Sequence, residues 1–222
     1  MRNNAMTTKK KTKDLILDAA EELFAIRGFY GVSIRQITTK AEVDPALASY
    51  HFGKKKDIFD AVMLRRAEIL NRERIQMLDD CIRRAKPNPA PLHEIIDAFT
   101  HALLNRSNKG GKGWRSYFAI IAQINNHPEL GGIIMSQYFD PLAKKFLQAI
   151  HANMPEANDE DLYWCYHFLS GALTLTFSGT ERISKLSDGL CPSNDLDAVH
   201  DRLVPFITAG FKAFMNPFTI GR

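Results

Sequence analysis

The sequence has 222 residues, 45% hydrophobic and 24% charged, a balance ordinary for a globular protein. No apolar run approaches the roughly eighteen residues of a membrane-crossing helix, and the N-terminus MRNNAMTTKKKTK lacks the apolar stretch of a secretory signal, so the expectation is a cytoplasmic protein without a membrane partner. The net charge of +4 is uneven: residues 1–86 carry 18 Lys and Arg against 12 Asp and Glu, the rest 11 against 13, so the front half suits a polyanion.

From Lys13 to Arg27, Leu15, Ile16, Ala19, Ala20, Leu23 and Phe24 share one stripe of an amphipathic helix, which Gly28 ends. Ser33 caps a short second helix that turns Ile34 and Ile37 inward. Ala41-Glu42-Val43 makes a tight turn, and Asp44 caps a brief third helix from Pro45 to Phe52, stopped by Gly53. A long fourth helix runs from Lys54 to about Arg84, and its second half (Arg65, Arg66, Arg72, Glu73, Arg74) reads as mostly polar.

Lys86-Pro87-Asn88-Pro89-Ala90-Pro91 forbids helix and marks a linker. Beyond it the helical period predicts helices at about 92–106, 114–126, 128–152, 158–186 and 195–215, with Pro141 kinking the third of them. The expected fold is all-α. It comprises a basic flexible arm over 1–11, a three-helix helix-turn-helix DNA-binding domain over 12–60 continuing into a connecting helix over 54–85, and a helical effector-binding and dimerisation domain over 86–222.

The motif that carries function is SIRQITTKAEVDPALASYHF, Ser33 to Phe52: two short helices about a tight turn, with the second helix shaped for a major groove. On its wheel Ala41, Ala48 and Phe52 face the first helix, while Ala46, Leu47, Ser49 and Tyr50 point away with His51 at the edge. Small side chains from Pro45 onward let the backbone approach base edges, and Tyr, Ser and His can donate to bases or phosphates. Leu47 reads either as a thymine-methyl contact or as a stray surface leucine. Lys54, Lys55 and Lys56 at the next helix start, and Lys9, Lys10, Lys11 and Lys13 ahead of the first helix, read either as solvated surface or as phosphate contacts.

AAEELFAIRGFYGVSIRQI followed by AEVDPALASYHFGKKKDIF resembles the DNA-binding domain of the TetR family of bacterial repressors over residues 12–72. That resemblance implies a homodimer on double-stranded operator DNA, with Ser33, Arg35, Ala46, Ser49, Tyr50, His51 and Lys55 facing the DNA and Phe52 in the core. WRSYFAIIAQINNHPEL, FDPLAKKFLQAI, DEDLYWCYHFLSGALTLTF and LDAVHDRLVPFITAGF resemble a fatty-acid-responsive, PsrA-type subgroup, which implies a long-chain acyl effector, a fatty acid or acyl-CoA.

In the back half, Trp114, Phe118, Ile121, Phe139, Phe146, Phe168 and Phe177 either line an apolar cavity or form an ordinary core, because pockets and cores share residue types. His167 either meets a ligand headgroup or is satisfied by a backbone carbonyl. Small residues such as Gly171 beside Leu175, together with Leu203, Phe206 and Phe211, suit a four-helix dimer interface. His93, Asp97 and His101 recur on one helical face but lack a fourth ligand, so a polar surface is favoured over a metal site. Cys81, Cys165 and Cys191 make neither a disulfide framework nor a zinc pattern. No GxSxG, HExxH, Walker A or dinucleotide fingerprint is present, so the expectation is no enzyme, no cofactor and no metal. The alternative to a regulator is a helical acyl-binding carrier without specific DNA recognition.

Overall fold

The structure, a computed structural model, describes residues 11–214. The expected basic arm, Lys9 and Lys10 included, therefore lies outside the described residues except for Lys11, which precedes the first helix. Among the described residues every regular element is helical: α1 (Thr12–Arg27), α2 (Ile34–Ala41), α3 (Pro45–Phe52), α4 (Lys55–Ala85), α5 (Leu92–Lys109), α6 (Lys112–Asn125), α7 (Gly131–Tyr138), α8 (Asp140–Asn153), α9 (Asp159–Phe177), α10 (Arg182–Leu186) and α11 (Leu196–Ala213). None is long and apolar enough to cross a membrane. The chain divides into two compact units, with the boundary between Arg65 and Arg66 inside α4.

The first unit is a small core closed by α1, α2, α3 and the start of α4. Ile16, Ala20 and Phe24 of α1, Ile37 of α2 and Ala48 of α3 are buried with Ile58, Phe59, Val62 and Met63 from the start of α4. Phe59 meets Phe24 and Phe29 edge-on at 5.2 and 5.1 Å, the offset geometry that aromatic quadrupoles favour. Arg65 ties α4 to α1 through Asp18 at 2.8 Å and the buried Glu21 at 2.9 Å. Gly31 follows α1 because a Cβ there would meet the Arg27 carbonyl at 2.3 Å.

The second unit packs α11 along α5, with α5 also touching α6 and α8, and α9 touching α6, α8 and α11. Two expected long helices are shorter than their hydrophobic period suggests. The expected helix over 128–152 is not kinked at Pro141 but divided: α7 ends at Tyr138, and α8 restarts at Asp140 with Pro141 in its first turn, where the missing N–H costs nothing. The expected helix over 158–186 stops at Phe177, because Gly179 (φ 65°) and Glu181 (φ 54°) take left-handed conformations before α10 begins.

Candidate functional site

The first site is the helix-turn-helix of the first unit. Ser33 caps α2 through a reciprocal capping box: its Oγ accepts from Gln36 N–H at 3.2 Å, and its own N–H donates to Gln36 Oε1 at 2.8 Å. Glu42 takes a left-handed conformation (φ 55°) and closes the turn through N–H bonds to the carbonyls of Thr38 and Thr39. Asp44 Oδ1 then accepts from Ala46 N–H at 2.7 Å, and Pro45 occupies the first helical position of α3. Ala48 is fully buried and seats this eight-residue helix.

Pro45, Ala46, Leu47, Ser49 and Tyr50 are exposed, Tyr50 at 82%; His51 is half-buried, its ring 5.1 Å from that of Tyr50. Ser33 and Arg35 are exposed on α2. Phe52, expected in the core, is only half-buried, because α3 is seated chiefly through Ala48.

The lysine run does not offer three free ammonium groups. Lys55 Nζ donates to the Phe29 carbonyl at 2.9 Å and lies 4.4 Å from the Phe29 ring centroid, so it pins the α1–α2 connection. Lys56 Nζ pairs with Asp60 at 2.5 Å. Asp57 Oδ2 takes the Lys54 N–H at 2.8 Å and places a negative charge at the start of α4. The exposed Lys54 side chain is left as the cation of this run available to a phosphate.

The second site is a cavity of about 60 Å³ in the second unit, walled by α4 to α9. Phe118, Ile121, Phe139 and Phe177 line it as expected of a pocket, with Phe118 stacked on Phe177 at 4.5 Å. Four other expected lining residues lie elsewhere. Trp114 is buried, with the guanidinium groups of Arg66 and Arg106 at 4.9 and 5.1 Å from its ring, and Arg106 is itself fixed by Glu73. Phe146 packs edge-on to Phe99 at 5.0 Å, in the neighbouring core. His167 and Phe168 are exposed, on the opposite face of α9 from the buried Leu162, Cys165, Leu169 and Leu173.

The cavity also holds residues that pattern reading missed. Tyr166, Ser170, Thr174 and Asn125 give it a polar wall, with Asn125 Nδ2 donating to Thr174 Oγ1 at 2.5 Å. The largest omission is Arg74, assigned from sequence to a polar helix half yet only 2% exposed. A signal was present. Ala67, Leu70, Leu78 and Cys81 form the buried stripe of α4, and Arg74 falls in register with them. Its guanidinium carbon sits 3.8 Å from the Phe99 ring centroid, and its Nε donates to the Phe99 carbonyl at 3.0 Å. Burial pushes the group down to about 9, which still leaves it cationic at neutral pH. Burial likewise raises the Tyr166 phenol, opposed by the nearby Arg74 charge.

Two of the five expected dimer residues, Leu203 and Phe211, are buried inside this chain, on the helix α11 that packs along α5. Gly171, Leu175 and Phe206 are exposed, the last two at 67% and 73%. His93 stands apart, while Asp97 and His101 meet His200 of α11, whose Nε2 lies 2.7 Å from Asp97 Oδ1. Cys81 and Cys165 are buried free thiols and Cys191 is exposed; burial pushes Cys165 up to about 11, well away from thiolate reactivity.

These features define an all-α protein that comprises a helix-turn-helix unit and a cavity-bearing helical unit. The profile of bacterial regulatory proteins of the tetR family matches residues 16–62, and the profile of the tetracyclin repressor-like C-terminal domain matches residues 97–210. The second match alone covers more than half of the sequence, and the chain belongs to the TetR family, which consists of regulatory proteins rather than enzymes.

The HTH-type transcriptional regulator UidR of Escherichia coli strain K12 is 31% identical over 68 residues, which is 31% of this chain and 35% of that protein. The HTH-type transcriptional repressor NicS of Pseudomonas putida is 40% identical over 53 residues, 24% of this chain and 25% of that protein. The matches thus span about a third or less of these curated relatives. Among solved structures, a TetR-like transcriptional regulator from Rhodococcus sp. RHA1 aligns over 90% of this chain and 96% of its own, with a TM-score of 0.58 and 19% identity. A Clostridium perfringens protein described as a fatty acid metabolism regulator aligns over 88% and 97%, with a TM-score of 0.60 and 17% identity. At these identities the likeness is one of fold.

Proposed function

We propose that the chain is a DNA-binding transcriptional regulator that acts as a homodimer, reads a near-palindromic operator with α3, and is released by a small apolar effector of the acyl type. The observation that carries this reading is the outer face of α3. A short helix is capped at Asp44 and seated by the buried Ala48, and it turns Ala46, Leu47, Ser49 and Tyr50 to solvent. Small residues let the backbone approach the base edges, Tyr50 can donate or accept, and the Ser33 cap holds α2 at the same surface. The exposed Lys54 adds a phosphate contact.

Dimerisation is supported by an apolar stripe on α9. Trp164, Phe168 and Leu175 are exposed on a helix whose opposite face is buried, and Gly171 lies between them where a second helix can approach closely. Phe206 of α11 adds a further large exposed apolar side chain. A twofold dimer presents two copies of α3, which fit successive major grooves when they stand about 34–36 Å apart.

The acyl character of the effector is supported by the apolar lining of the cavity, by the resemblance of the back half to a fatty-acid-responsive subgroup, and by the shared fold of the Clostridium perfringens regulator. Leu70 and Arg74 place α4 in the cavity wall, so a ligand that reshapes the cavity acts directly on the helix that begins in the first unit. A hundredfold relief of repression needs about 2.7 kcal/mol of differential affinity between the two states. An electrophoretic shift on DNA upstream of the chain's own coding sequence, with excess random DNA as competitor, tests the reading. Retention of the shifted band under competition is expected; equal affinity for the competitor would overturn it.

A further inference from the structure

Among the described residues, Arg74 is the only basic side chain so fully buried. A buried cation ordinarily brings its counter-charge with it, because desolvating an unpaired charge costs several kcal/mol. Arg74 has none. Its one hydrogen bond, from Nε to the Phe99 carbonyl, uses one of five N–H donors, and Phe99 covers one face of the guanidinium. The titratable groups whose charge reaches it are the phenols of Tyr166 and Tyr117, not carboxylates. Arg74 nevertheless lines a cavity whose other walls are mostly apolar, so a ligand that enters this space meets its side chain.

We propose that the cavity binds a monocarboxylate with a compact apolar body, held by a two-pronged ion pair to the Nη edge of Arg74. This rests on the effector-cavity reading above and narrows it. The planar fork of a guanidinium matches the two oxygens of a carboxylate, and such pairs are among the strongest charge-assisted hydrogen bonds. One buried cation neutralises one negative charge. A phosphate dianion would carry a second, uncompensated charge into an apolar enclosure. A coenzyme A thioester is neutral at the acyl end, and its charged nucleotide finds no further cation in the wall. The geometry therefore selects the free acid over the thioester. The carboxylate supplies the counter-charge that the folded chain withholds from Arg74, so the cost of burying the arginine is recovered only when the acid is bound.

Isothermal titration of the full chain with octanoate, octanamide and octanoyl-CoA tests this. Octanoate is expected to bind at least tenfold more tightly than either of the others. Arg74→Met is expected to abolish that preference, and Arg74→Lys to keep part of it. The Met variant should fold, because exchanging an unpaired buried cation for an apolar chain of similar length removes a desolvation cost. The acid-to-amide comparison in the unaltered protein decides the matter independently of any variant. Equal binding of octanamide, a full preference surviving in Arg74→Met, or no octanoate binding at all would overturn the proposal. Repeating the operator shift with each ligand separates the two levels. If octanamide releases DNA as well as octanoate does, the cavity is an effector site but Arg74 is not its anion anchor. If octanoate binds through Arg74 and leaves the DNA complex intact, the anchor stands and the effector reading fails.

Discussion

Tyr50 and Lys54 divide the proposed DNA contacts between them. Tyr50 stands 82% exposed in the C-terminal half of α3, and its hydroxyl is the proposed contact to a base edge. Lys54 lies just past the end of that helix with an exposed ammonium suited to a backbone phosphate. Tyr50→Ala is expected to reduce discrimination between operator and random DNA by about tenfold, within the range of a lost base contact. Lys54→Ala should weaken both DNAs equally and flatten the slope of log affinity against log salt by about one unit. Titrations at several salt concentrations separate the two effects, and the reverse pattern would mean that the roles are exchanged. The helices that frame this proposed interface were legible in sequence, because Ser33, Asp44 and Pro45 are local signals that act within four residues of their targets. Lys55 and Arg74 were not. Each is decided by a partner far along the chain, the Phe29 carbonyl in one case and the Phe99 ring and carbonyl in the other. A charged residue type gives no hint of such burial unless its helical register is followed against the apolar stripe.

At the scale of elements, α9 is the informative helix. Its residues are apolar almost all round, which from sequence implies burial on most sides. One face is indeed buried, through Leu162, Cys165, Leu169 and Leu173. The other leaves Trp164, Phe168 and Leu175 in solvent, with the first two rings stacked at 6.1 Å. The double variant Leu175→Glu/Phe206→Glu is therefore expected to sediment as a monomer while retaining its helical circular dichroism. An unchanged sedimentation coefficient would place the dimer interface elsewhere. The same comparison explains why the predicted helix ends failed. Hydrophobic period continues through Phe139 and past Phe177, whereas the breaks depend on where Pro141 can sit without losing a hydrogen bond and on the left-handed backbone at Gly179 and Glu181. Leu203 and Phe211 were assigned to the interface because apolar residues on a terminal helix look alike; the packing of α11 on α5 is what distinguishes them from Phe206.

For the whole molecule, the account rests on α3 reading DNA sequence as one of a twofold pair. Selection of bound fragments from a random double-stranded library, carried out with the full chain at physiological salt, tests this most directly. The enriched sequences should converge on an inverted repeat whose half-site centres lie about 10–10.5 base pairs, or a multiple of that, apart. The convergence should be lost with Tyr50→Ala. Enrichment of no common sequence, or of an unpaired half-site bound equally well by Tyr50→Ala, would contradict the account.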